Sequence, residues 1–223
     1  MADLLLSKIK TVNPLYGCSL NPPCPYCYMR RLNLRFRHTP DFSVPTEMPQ
    51  ALKGFHTINP TNIFFTSASD MADYTEEWRE VVFDEMVKFP KNVYMFLTKR
   101  PKMCAFDGTY VPKLWAGVSV TGPGDTKRIQ EIQRVCKAPK YWVTIEPLLA
   151  DPTPTLNLSG ISWIVIGAET GNRSGKVVPQ KDWVVGILEK AREKKIPVCM
   201  KEGLLDIVGP DLWCQELPKD FNQ

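Results

Sequence analysis

The sequence predicts an α/β protein built on a parallel sheet, and three observations carry that reading. Seven short apolar runs recur along the chain, at Ile9–Val12, Asn62–Thr66, Val93–Thr98, Leu114–Val120, Tyr141–Ile145, Ser162–Gly167 and Pro197–Lys201. They are mostly continuous rather than alternating, the pattern of strands covered on both faces. Helical patterns fall between most of them, at Glu76–Lys88, Asp125–Cys136 and Lys181–Lys194, with a further helix following Cys27. Strands that alternate with helices imply right-handed βαβ units.

The remaining segments read as connections. His38–Pro60 is irregular and proline-bearing and is expected to wrap the sheet edge, Asp151–Pro154 is a loop, and the stretch after Glu202 is a short closing segment. No linker, internal repeat or low-complexity tract divides the 223 residues, so residues 1–223 read as a single domain. A hydrophobic fraction of 43% with 23% charged residues is that of an ordinary globular chain. No apolar run approaches the ~18 residues that span a bilayer. The Leu4–Leu6 run is too short for a secretory core and is followed at once by Lys8 and Lys10. These features predict a cytoplasmic protein with no membrane partner. A formal charge of +4 neither requires nor excludes a nucleic-acid partner.

The cysteines carry the chemistry. Cys18, Cys24 and Cys27 crowd into one loop, 18–27, just after the first predicted strand. Three thiolates leave one corner of a metal or cluster open, and an open corner is where chemistry takes place. A thioredoxin-like use of Cys24-x-x-Cys27 would leave Cys18 unexplained. Zinc would want four ligands, yet the chain holds only two histidines and no second CxxC. A three-thiolate iron–sulfur cluster fits the ligand count best, with a distantly completed zinc site and unbound thiols as alternatives. Cys199, inside an apolar run, reads as a buried small hydrophobe.

In parallel α/β folds the site forms at the carboxyl ends of the strands. Those ends read Thr66-Ser67-Ala68-Ser69-Asp70, Thr98-Lys99-Arg100, Ser119-Val120-Thr121, Thr144-Ile145-Glu146-Pro147, Gly167-Ala168-Glu169-Thr170 and Lys201-Glu202. Ser69, Asp70 and Thr121 serve equally well as helix N-caps. Glu146, Glu169 and Lys201 abut strongly apolar runs, where a charge costs several kcal/mol unless it is paired or holds a ligand. An ion pair of Lys201 with Glu169 is the bland alternative. Trp115, Trp142, Trp163 and Trp183 read as core.

With those residues in view, a three-cysteine loop after the first strand, with Tyr26 just before the last cysteine, resembles the radical S-adenosylmethionine (SAM) superfamily. Its commonest spacing is CxxxCxxC, against CxxxxxCxxC here. More specifically, the chain is similar to the phage Gp37/Gp68-type family. The segments that carry this include Asn13-Pro-Leu-Tyr-Gly-Cys18, Cys24-Pro-Tyr-Cys-Tyr28, Phe96-Leu-Thr-Lys-Arg100, Trp115-Ala-Gly-Val-Ser119, Ile145-Glu-Pro-Leu148 and Val198-Cys-Met-Lys201. The resemblance implies a partial TIM-type parallel β/α barrel of about six to seven β/α units. It further implies a 4Fe–4S cluster on Cys18, Cys24 and Cys27, with S-adenosyl-L-methionine on the open iron. Reductive cleavage to a 5′-deoxyadenosyl radical would then be driven by an external electron donor such as flavodoxin or ferredoxin. Carried over by position, Tyr26 lies near the adenine, and Ser67, Ser69 and Asp70 hold the SAM amino group. Lys99 pairs with the SAM carboxylate, Ser119 contacts ribose or carboxylate, and Glu146, Glu169 and Lys201 face the substrate or the ribose as candidate catalytic residues. A non-enzymatic zinc protein acting on nucleic acid and an electron-transfer cluster protein are the competing classes.

A basic stretch, Arg30, Arg31, Arg35, Arg37 and His38, follows the cysteine loop. It reads either as a solvated helix face or as a phosphate contact for a nucleotide, a nucleic acid or a phosphorylated small molecule.

Overall fold

The computed structural model describes residues 8–221; the Leu4–Leu6 run lies outside them. Seven parallel strands form one sheet in strict chain order: β1 Ile9–Thr11, β2 Asn62–Phe64, β3 Val93–Thr98, β4 Leu114–Val120, β5 Lys140–Ile145, β6 Trp163–Ile166 and β7 Val198–Met200. Each coincides with one of the seven apolar runs. Consecutive parallel neighbours joined by crossovers curl the sheet into a partial TIM-type barrel. The longest ladders lie in the middle, where β4 pairs β5 from Trp115↔Lys140 to Val120↔Ile145. All seven residues of β4 are buried, which accounts for its uninterrupted apolar sequence.

Four helices lie where helical patterns were expected: α1 Tyr28–Phe36, α2 Glu76–Val87, α3 Arg128–Val135 and α4 Lys181–Glu193. The Thr75 hydroxyl caps α2 by accepting from Trp78 N–H at 3.2 Å, and Glu76 and Glu77 complement its N-terminal dipole. Helix α3 starts later than Asp125 because Pro123-Gly124-Asp125 forms a separate 3-10 turn. Part of His38–Pro60 proves regular: Thr46–Glu47 pairs antiparallel with Leu15–Tyr16, and Pro49–Phe55 is a 3-10 helix.

Alternation along the strands separates two cores. On β3, Tyr94 and Phe96 pack under the helices, whereas Val93 and Met95 face the barrel interior with Trp115, Trp142, Trp163, Val165 and Cys199. Trp142 and Trp163 stack at 5.5 Å between centroids, and Phe221 meets Trp115 and Trp163 edge-on at 5.2 and 5.1 Å. This aromatic plug fills the amino-terminal half of the interior. The same two-residue period carries each interior face upward to its carboxyl end. There it delivers Lys99 from β3, Ser119 from β4, Thr144 and Glu146 from β5, Glu169 from β6 and Lys201 from β7.

Candidate active site

A cavity of about 240 Å³ opens above the aromatic plug at the carboxyl ends of the strands. Its wall contains all twelve residues singled out from the sequence: Cys18, Cys24, Cys27, Tyr26, Ser67, Ser69, Asp70, Lys99, Ser119, Glu146, Glu169 and Lys201. Residues from seven separate segments thus meet in one space, because the parallel order aims every strand end the same way.

The three cysteines are half-buried free thiols. Their loop is anchored at both ends. Gly17 N–H donates to the Ala68 carbonyl at 2.9 Å and Cys18 N–H to the Phe42 carbonyl at 2.8 Å. Next to Cys18, Ser19 donates to the Asp73 carboxylate through backbone and side chain, and Arg100 donates to Ser19 Oγ at 2.9 Å and to Asp73 Oδ2 at 2.6 Å. At the far end Cys27 is the N-cap of α1, with its sulfur accepting from Arg30 N–H at 3.4 Å. Burial pushes the Cys18 thiol up to about 12, so ionising it here calls for a compensating positive centre. Among the described residues no group of three or more His, Cys, Asp or Glu side chains is drawn together as a metal-ion site. The three thiols share the cavity wall and are the donor type that an iron–sulfur cluster takes.

Lys99 carries no salt bridge among the described residues; its ammonium lies 5.9 Å from the centroid of the Tyr26 ring. Ser69 Oγ is buried beside the Tyr74 hydroxyl, at the wall of the cavity. Ser67 Oγ donates to Asn13 Oδ1 at 2.9 Å, and Ser119 Oγ accepts from Thr144 at 3.3 Å. Asp70 differs from these. Its carboxylate accepts from Thr98 Oγ1 at 2.6 Å, from Lys99 N–H at 2.9 Å and from Ala72 N–H at 2.9 Å as the cap of a 3-10 turn. It borders the cavity but spends its oxygens on tying the ends of β2 and β3 together.

The alternative of an ion pair between Lys201 and Glu169 is not what forms. Lys201 Nζ lies 2.8 Å from Glu146 Oε1 instead. The reason is Gly167 on the intervening strand end: a Cβ there would stand 2.8 Å from Glu146 Cδ. Lacking one, position 167 lets the Glu146 side chain cross from β5 over β6 to β7. Glu169 is held by Arg173, with Nε at 2.6 Å from Oε1 and Nη2 at 2.8 Å from Oε2. Hydrogen bonding from that guanidinium holds the Glu169 carboxyl below the usual glutamate range.

Several residues beside the cavity have roles that the sequence did not give them. Asn13, Asp73, Arg100 and Arg173 position the predicted residues through the bonds above. Arg100 stood in the strand end Thr98-Lys99-Arg100 without a role, and the i,i+4 spacing of Arg173 from Glu169 is uninformative in a segment without helical pattern. The Tyr28 ring also lines the cavity, with its hydroxyl donating to the Ser67 carbonyl at 3.3 Å and burial raising its pKa to about 12. Arg31, from the basic stretch, reaches the opposite rim, where a Cβ on Gly171 would stand 3.1 Å from its Nη2.

No helix among the described residues is long and apolar enough to cross a membrane. No curated protein matches the sequence. Among solved structures, a spore photoproduct lyase point mutant is similar at 10% identity, with 85% of this chain and 75% of that chain covered and a TM-score of 0.52. A spore photoproduct lyase mutant with dinucleoside spore photoproduct gives 10% identity and a TM-score of 0.49 over 82% of this chain and 60% of that one. A third, with bound AdoMet and dinucleoside spore photoproduct, gives 10% identity and 0.47 over 82% and 61%. This chain thus spans about three-fifths of the length of the latter two chains. The first of these likenesses extends the barrel fold to a known enzyme and goes no further than the fold. Residues 8–204 match the model of a family described as "Protein of unknown function (DUF5131)", and the chain belongs to that family.

Proposed function

We propose that this protein is a radical SAM enzyme acting on a nucleotide-like or phosphorylated substrate, its 223 residues forming one domain and its loop 18–27 holding a 4Fe–4S cluster. The observation that carries the reading is the convergence of three free thiols, an ammonium without a salt bridge among the described residues and a serine hydroxyl on one cavity at the strand ends. A bound cluster and SAM would supply, on one-electron reduction, cleavage of SAM to methionine and a 5′-deoxyadenosyl radical that takes a hydrogen atom from the substrate. Cys18, Cys24 and Cys27 would hold the cluster and leave one iron for the amino and carboxylate groups of SAM. Lys99 would pair with that carboxylate and Ser69 would accept from the amino group, while the Tyr26 ring borders the adenine. Ser119 would meet the ribose. The Glu146–Lys201 pair and Glu169 would face the substrate, and the aromatic plug closes the floor to water. A relationship to the phage Gp37/Gp68-type family, a cytoplasmic location and an external one-electron donor belong to the same proposal.

Anaerobic reconstitution with iron and sulfide tests it. The expected product is a brown protein that forms 5′-deoxyadenosine from SAM under dithionite. Cys24→Ala should lose both cluster and SAM cleavage. Cys199→Ala, buried in β7 away from the loop, should keep both. Stoichiometric zinc with no uptake of iron would defeat the reading, and equal losses in the two variants would defeat the ligand assignment.

A further inference from the structure

Tyr16 stands just before the cysteine loop, on the short strand Leu15–Tyr16, and is 8% exposed. Its ring meets Phe42 edge-on at 5.7 Å between centroids and His38 at 5.0 Å. Tyr16, Phe42 and Ala68 form a small core of their own, and Cys18, Cys27 and Met29 pack against it. Phe42, Ala68 and both cysteines reach the cavity wall whereas Tyr16 does not, so the tyrosine lies one layer behind the thiols. Its hydroxyl oxygen is buried with no hydrogen-bond partner among the described residues. Buried tyrosine hydroxyls ordinarily find a partner, because an unmade bond forfeits one to water. Other buried tyrosines here do so: Tyr94 donates to the Met86 and Phe89 carbonyls at 3.2 and 3.1 Å, and Tyr74 to the Phe65 carbonyl at 3.1 Å. Around Tyr16 the neighbours are apolar side chains and sulfur. Burial raises the Tyr16 pKa and the charge of Cys27 adds to the rise, whereas the charges that act on Cys18 are those of Asp70, Asp73 and Arg100. The hydroxyl therefore keeps its proton and has Cys27 as its neighbouring sulfur.

We infer that Tyr16 is a positioning residue for the cluster, its hydroxyl donating to the Cys27 thiolate from the side away from the cavity and so setting how readily the cluster takes an electron. The inference rests on the radical SAM reading and adds to it a residue outside the cavity that tunes the cofactor. As a free thiol, Cys27 is a weak acceptor, and its sulfur takes Arg30 N–H at a long 3.4 Å. Ionised and bound to iron, the same sulfur becomes a charged acceptor among apolar side chains, where a hydroxyl donor is worth most. The unmade bond of Tyr16 is thus one that loading of the loop completes. A donor on a cluster thiolate stabilises the reduced, more negative state and raises the reduction potential. Cys27, with Arg30 N–H in front and Tyr16 behind, becomes the thiolate on which that effect is concentrated.

The test compares Tyr16→Phe with Tyr94→Phe, before and after anaerobic reconstitution with iron and sulfide. Without iron, Tyr16→Phe should melt no lower than wild type, since it removes a hydroxyl that has no partner. Tyr94→Phe should melt about 2–4 °C lower, since it removes one that has two. After reconstitution both should carry wild-type iron. In a redox titration followed by electron paramagnetic resonance, Tyr16→Phe should raise the ratio of oxidised to reduced cluster about tenfold at a fixed potential. That is a fall in midpoint of about 59 mV for a one-electron couple. Tyr94→Phe should leave the midpoint unchanged. Transfer into heavy water should shift the iron–thiolate stretching frequency more in wild type than in Tyr16→Phe. An unchanged midpoint, or an isotope shift equal in the two proteins, would overturn the role of Tyr16 alone. So would a loss of iron from Tyr16→Phe together with a lower melting temperature, which would give the hydroxyl to the fold. No uptake of iron by the wild type would instead overturn the radical SAM reading beneath it.

Discussion

A carboxylate as buried as that of Glu169, 3% exposed, stays charged only with a partner, and Arg173 supplies two hydrogen bonds in fork geometry. Because the folded pKa lies below the unfolded one, the pair's stabilisation is complete above the ordinary glutamate value near ~4.3 and is lost as pH falls through the folded pKa. Arg173→Ala removes the main hydrogen-bonding partner of a buried carboxylate and leaves it the Val177 N–H and the more distant Lys176, which raises its pKa. The melting temperature of this variant should therefore lie a few degrees below wild type from pH 5 to pH 8, and the gap should close below about pH 4. A gap that persists unchanged into acid would place its origin elsewhere. Arg173→Lys should recover only part of the loss, since an ammonium lacks the bidentate fork. The sequence disclosed that Glu169 needed a partner, because a charge abutted the run Trp163–Gly167. It did not disclose which partner: side chains cross between strands according to which intervening position is glycine, and the local pattern is silent on that.

Glycine sets these crossings at the scale of the elements, and the barrel uses the device twice. Gly167 lets Glu146 pass from β5 over β6 to Lys201 beyond β7. Gly117 on β4 lets the Trp142 indole pass from β5 to the Phe96 carbonyl of β3 at 3.0 Å, and a Cβ there would stand 2.3 Å from Trp142 Nε1. The two sites should respond differently to alanine. Trp142 is locked by its stack on Trp163, so Gly117→Ala forces a rigid indole aside and should cost about 1–3 kcal/mol, at roughly 2–4 °C of melting temperature per kcal/mol. At Gly167 the obstacle is the end of a flexible carboxylate, so the melting temperature should scarcely move. If the pair faces the substrate as proposed, turnover should nonetheless fall on the order of tenfold or more as Glu146 leaves Lys201. Thermal melts and turnover assays on the same two variants separate these effects. Equal stability losses would mean that Glu146 is as tightly packed as Trp142. The strands themselves were legible because burial on both faces makes them uniformly apolar. That same uniformity concealed which face was interior, and so concealed the crossings.

Over the whole molecule, the parallel order of seven strands was readable from the alternation of apolar runs and helices. The convergence of Cys18, Lys99, Glu146 and Lys201 on one cavity follows from that order alone. The residues after Glu202 read as a short closing segment, but with no periodic pattern they did not show which part of the barrel they close. In the fold they turn back along β7. Met200 N–H donates to the Cys214 carbonyl at 2.8 Å, Glu216 N–H to the Val198 carbonyl at 2.9 Å, and the Trp163 indole to the Glu216 carbonyl at 3.0 Å. This covers an edge strand that would otherwise present unpaired backbone groups. It also delivers Phe221, 3% exposed, between Trp115 and Trp163. The floor of the cavity thus depends on a residue near the end of the chain. Phe221→Ala should open a hole beneath the tryptophans and cost ~3 kcal/mol, lowering the melting temperature by about 6–12 °C. Tryptophan fluorescence should become more accessible to a soluble quencher. Iron uptake by loop 18–27, at the other end of the barrel, should stay at the wild-type level below the melting transition. If Phe221→Ala melted like wild type, the tail would be an ornament of the surface rather than the floor of the site.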